Sequence, residues 1–142
     1  MSRVWTALRL GLGLVFVLAS LDKIAHPALF AQAIANYRIL PEALANPAAL
    51  LLPWVEAVAG LALACGVLVR GAALVVAGLM AVFFTALLSA LARGLDIACG
   101  CFTVDPLAAP DVAFDIVRDG AILVLALAVF WREVWGRGRP RP

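Results

Sequence analysis

Four apolar stretches, roughly residues 4–21, 50–69, 71–92 and 112–131, constrain this chain more than any other feature. Each approaches the ~20 helical residues needed to cross a hydrocarbon core. Backbone amides cannot be left unpaired in lipid, and the stretches lack the alternating polarity of barrel strands, so each is expected to be a helix. Composition agrees: of 142 residues, 65% are hydrophobic and 14% charged, with a mean hydropathy of +1.07. These values lie outside the soluble range. The expected fold is all-α, an integral membrane four-helix bundle in one domain over residues 1–142.

Arg3 and Arg9 before an apolar run ending Leu18-Ala19-Ser20 also have the outline of a cleaved leader. Arg9, however, interrupts the apolar core that a leader needs, so the run reads as a retained span. Lys and Arg in short loops mark the cytoplasmic side. Arg3, Arg9, Arg70, Arg132, Arg137, Arg139 and Arg141 lie at the termini and the second turn. Residues 22–49 carry Lys23 and Arg38, and residues 93–111 set Arg93 against Asp96, Asp105 and Asp111. Both termini are therefore expected inside a bacterial inner membrane, with residues 93–111 outside. The net charge of +2 comes mostly from the chain ends and forms no basic stripe, which removes nucleic acid as a partner.

In the first outer loop, Leu29, Phe30, Ala33, Ile34 and Tyr37 share one helical face and Gln32 and Asn36 another. Pro27 and Pro41 bracket this segment, which predicts a short interfacial helix over residues 28–39, either capping the bundle or offering a docking surface.

Ionisable residues inside spans are costly and normally face a bundle interior or water. Glu56 lies in the second span. In the fourth, the uncharged run Gly120–Trp131 has only 12 residues, so Asp115, Arg118 and Asp119 are drawn into the outer part of the membrane. Spacings of three and four place them on one helical face, where the guanidinium can meet either carboxylate. Asp22 and Lys23 end the first span on the same side. At about 1.5 Å per residue, Glu56 and Arg118 lie roughly 8 to 10 Å below the outer helix ends. The expectation is that Glu56, Arg118 and one or both of Asp115 and Asp119 meet in the interior, with Lys23 and Arg93 nearby. Such a pocket would lie beneath the segment ARGLDIACGCFTVDP, which carries Cys99 and Cys101. A purely structural role, with Arg118 tying helices together, is the competing reading.

The order of LRLGLGLVFVLASLDKIAHP, FAQAIANYRILP, PWVEAVAGLALACG, GLDIACGCF and DIVRDGAILVLAL resembles the MauE-like branch of the DoxX family of redox-associated membrane proteins. The resemblance runs from Ala7 to about Phe130, and its sharpest motif is Gly94-Leu95-Asp96-x-x-Cys99-Gly100-Cys101-Phe102. It implies a four-helix membrane protein tied to thiol–disulfide handling of exported proteins, the MauE type being similar to a maturation factor for a disulfide-rich methylamine dehydrogenase. Cys65 and the basic Arg/Pro tail depart modestly from the pattern. No residue here identifies that dehydrogenase as the client.

The chemistry of Cys99-Gly100-Cys101 supports the same reading, because a disulfide between residues two apart closes a small strained ring, and strained disulfides exchange readily. Gly100 permits the backbone of such a ring. Arg93 and Arg118 would favour a thiolate and Asp96 would oppose it, which leaves the nucleophile unassigned. A structural link within the loop and a thiolate clamp for a soft metal remain alternatives, as does a membrane scaffold or small-solute handler. A zinc site fits poorly, since His26 is the only histidine. Cys65 is expected to be a small packing residue. With no partner cysteine on the inner side, electrons from Cys99 and Cys101 would pass to a membrane quinone or to an external thioredoxin-like protein, and the expected partner is a periplasmic thioredoxin-like or client protein. The oligomeric state is left open.

Overall fold

The computed structural model describes residues 3–95 and 111–136, all of them in helices and short connections. The five helices are α1 (Arg3–Ala25), α2 (Pro27–Asn36), α3 (Glu42–Cys65), α4 (Val69–Ala92) and α5 (Val112–Trp135). Helix α1 packs chiefly on α3 and α4 on α5, with α3 against α4 and α1 against α5 closing the bundle. The short α2 lies on α3. Helices α1, α3 and α4 are long and apolar enough to cross a membrane. Helix α5 matches their length at 24 residues but carries Asp115, Arg118 and Asp119 in its first half.

Local sequence signals set the helix ends. Pro27 opens α2 at its first turn, where a missing N–H costs nothing. Gly66 ends α3 in the left-handed conformation, φ 76°, with the cap N–H bonded to the Ala62 carbonyl. The Asp111 carboxylate accepts the Phe114 N–H at 3.1 Å and caps α5.

The interior is made of small and medium apolar side chains, among them Leu12, Phe16, Leu63, Val76, Met80, Ala126 and Val129. The outer surface is apolar as well: Leu18 is 65% exposed and Val124 67%. An apolar core inside an apolar outer face is the pattern of a bundle solvated by lipid.

Helices stand at all four expected spans with shifted bounds, and three of them, α1, α3 and α4, are long and apolar enough to cross a membrane. Helix α3 begins at Glu42, well before residue 50, because Pro47 and Pro53 lie inside it and do not end it. Neighbouring helices supply the packing that makes a proline tolerable in a membrane helix. Helix α1 runs four residues past Leu21, to Ala25, which carries Lys23 on a helical turn. Helix α5 continues to Trp135, and α2 ends at Asn36, short of residue 39. Cys65 is exposed at the last residue of α3, contrary to its expected packing role, since the chain turns away at Gly66.

Gly13 and Gly60 bring the backbones of α1 and α3 close together. A Cβ on Gly13 would lie 2.6 Å from the Gly60 carbonyl oxygen and 2.8 Å from the Ala64 nitrogen. Backbones touch there, as small residues permit in membranes. Gly11, two residues earlier, has nothing within 4 Å of its Cβ position. Gly13→Leu should therefore destabilise the bundle by at least ~1–3 kcal/mol, read as a lowered thermal midpoint in detergent, while Gly11→Leu should leave the midpoint near wild type. Equal effects of the two would contradict this packing.

Candidate functional site

Lys23 lies in the last two turns of α1, close to a membrane boundary, yet its side chain turns inward. Its ammonium donates to both carboxylate oxygens of Glu56, at 3.0 Å each. Side-chain exposure is 1% for Lys23 and 2% for Glu56. The Lys23 Nζ also lies 5.2 Å from the Phe30 ring centroid of α2 and 5.3 Å from that of Phe83 in α4. Ring faces carry partial negative charge, so they solvate an ammonium that has left water. Asp119 of α5 acts on the same ammonium through space.

Arg118 forms the second part of the cluster. Its Nη1 meets Asp115 Oδ1 at 3.0 Å and its Nε donates to Asp119 Oδ1 at 3.0 Å. Asp119 is fully buried, while Arg118 remains partly open with its guanidinium Cζ 5.7 Å from the Phe114 ring. The helical spacing thus brings the three residues together as expected. The expected meeting of Glu56 with Arg118 is corrected: Glu56 is bound by Lys23, whose long side chain reaches it from α1, and Arg118 is bound by the two aspartates of its own helix.

Tyr37 is a member of the site that periodicity placed only on an apolar face. It is buried beside this cluster at the C-cap of α2, and burial, reinforced by Asp119 and Asp115, pushes its phenol above the ordinary tyrosine range. Arg93 follows α4 and donates to the carbonyls of Tyr37, Arg38 and Ser89, the latter two at 3.4 and 3.3 Å. It is a clamp between the end of α4 and the α2–α3 connection. Cys99 and Cys101 lie outside the described residues. His26 is exposed and 3.5 Å from Asp22. Among the described residues, no three His, Cys, Asp or Glu side chains are grouped so as to hold a metal ion.

The described geometry is a set of ionisable side chains from α1, α3 and α5, lined by rings from α2 and α4. It lies towards the end of the bundle where residues 96–110 join α4 to α5.

The sequence pattern of the family described as methylamine utilisation protein MauE matches residues 1–132. A methylamine utilization protein MauE of Paracoccus denitrificans is 38% identical over 124 residues, covering 87% of this chain and 66% of its own length. Another, from Methylorubrum extorquens, is 39% identical over 100 residues, covering 70% of this chain and 54% of its own length. The chain thus spans less than two thirds of either relative. No solved structure matches it.

Because Glu56 holds Lys23 and not Arg118, Glu56→Ala should strand a buried ammonium and cost about 3–5 kcal/mol. The paired change Lys23→Met with Glu56→Leu should recover most of that loss, in thermal or denaturant unfolding. A double variant no more stable than Glu56→Ala would show that the pair is not the coupled unit.

Proposed function

The chain belongs to the MauE family, and on that basis we propose that it is a membrane redox protein of methylamine utilisation whose Cys99 and Cys101 exchange disulfides with exported partner proteins. The observation that carries this reading is the collection of Lys23, Glu56, Asp115, Arg118 and Asp119 towards the end of the bundle that the Cys99-Gly100-Cys101 segment joins. Ionisable groups inside a membrane are expensive, and their concentration near one segment favours a working site there.

In the exchange, a thiolate of the partner attacks one sulfur of the Cys99–Cys101 disulfide, and the other sulfur leaves as a thiolate. The second partner thiolate then resolves the mixed disulfide. The partner gains a disulfide and the pair leaves as a dithiol, so two electrons have moved to this chain. A membrane quinone or a periplasmic thioredoxin-like protein would reoxidise the pair. The lysine and arginine distribution supports the pair on the periplasmic side, where disulfides persist, with both termini in the cytoplasm. The complementary pairing inside the cluster favours a second reading, in which the charges are purely structural and the protein is a non-catalytic scaffold or handles a soft metal or small solute.

Cys99→Ser and Cys101→Ser should each abolish client maturation about as fully as the double change. One single variant, lacking its resolving thiol, should trap the partner as a mixed disulfide visible on non-reducing gels. Full activity in both single variants, or a stoichiometric metal removed by either, would replace this reading with the scaffold or metal one.

A further inference from the structure

The end of the bundle remote from residues 96–110 gathers positive charge. The Arg132 guanidinium Cζ of α5 lies 4.6 Å from the Trp5 ring centroid of α1. Arg70 of α4 donates from Nε to the Glu133 carbonyl of α5 at 3.0 Å. Arg9 of α1 lies across Gly66, where α3 ends. These contacts place Arg3, Arg9, Arg70 and Arg132 at one end, where Glu133 is the acid among the described residues. Trp131 and Trp135 stack there with centroids 5.2 Å apart, both exposed. Exposed tryptophans with arginines are the composition of a membrane–water boundary.

Arg9 stands apart from the other arginines. A Cβ built on Gly66 would lie 2.9 Å from its Nη1 and 3.2 Å from its Nη2, so the guanidinium fills the room this glycine leaves. Its Nε is buried and has no hydrogen-bond partner among the described residues. None of the described carboxylates pairs with it. Six residues inside Arg3, it lies roughly 9 Å further along the helix axis. A buried guanidinium N–H without an acceptor is costly. The residue as a whole is half-buried, so part of it is open to its surroundings.

We propose that Arg9, in the basic end it forms with Arg3, Arg70 and Arg132, binds the phosphate of an anionic phospholipid headgroup. A guanidinium presents paired N–H donors that match phosphate oxygens, and a headgroup phosphate is the anion already present at a membrane–water boundary. The surrounding positive charge selects an anionic headgroup over a zwitterionic one. This inference stands independently of the disulfide-exchange reading.

The test uses the full chain in nanodiscs of phosphatidylcholine alone or mixed with phosphatidylglycerol, read by thermal midpoint, and native mass spectrometry of the protein released from each. Phosphatidylglycerol should raise the midpoint and survive as a bound adduct. Arg9→Gln should weaken that binding roughly five- to tenfold, and Arg3→Gln should weaken it much less. Arg9→Lys, which keeps the charge without the planar fork, should fold, keep the preference for the anionic lipid and bind it less tightly than wild type. Equal midpoints in both membranes, an unchanged preference in Arg9→Gln, or wild-type tightness in Arg9→Lys would overturn the proposal. So would inorganic phosphate alone reproducing the stabilisation in phosphatidylcholine, because the site would then be one for the free anion.

Discussion

A lysine ammonium taken out of water needs compensation from every side, and in this bundle Lys23 receives it from all the helices around it. Glu56 of α3 neutralises it, Phe30 of α2 and Phe83 of α4 present ring faces, and Asp119 of α5 adds its field. Such a pair gives little net stability, because desolvation offsets most of the attraction, but it strongly penalises arrangements that separate its members. Lipid-facing surfaces are equally apolar in many registers, so this penalty specifies which helix faces which. The Gly13–Gly60 crossing is compatible with it, since contact between the α1 and α3 backbones keeps Glu56 within reach of Lys23.

The two ends of the bundle differ in chemistry as a result. Towards one end, acids and bases neutralise one another inside the protein. At the other, arginines outnumber acids and are set among exposed tryptophans. The first end holds charge where solvent is scarce, and charges act on one another most strongly there. The second has the composition of a membrane–water boundary.

Much of the site was readable from residue spacing. Asp115, Arg118 and Asp119 share a face because 3.6 residues make a turn, and local helix geometry alone brings them together. The partner of Glu56 was not legible. Lys23 and Glu56 are 33 positions apart, and both lysine and arginine have the reach and charge to satisfy a carboxylate. Tyr37 was assigned to the apolar face of an amphipathic helix, and its burial beside the aspartates depends on how α2 lies across the bundle. Cys65 was misjudged because the apolar run around it does not reveal that the chain turns at Gly66 and leaves the cysteine exposed at the end of α3.

The sequence by itself determined that the chain is helical and lives in a membrane, because the bilayer admits few solutions for long apolar segments. It also determined that charge would collect towards one end, since the positions of Lys23, Glu56, Asp115, Arg118 and Asp119 follow from counting along helices of known rise. Only the tertiary structure decided which charge meets which. Pairing across helices depends on rotation about each helix axis, and an apolar surface in lipid leaves that rotation almost free until side chains from different helices meet.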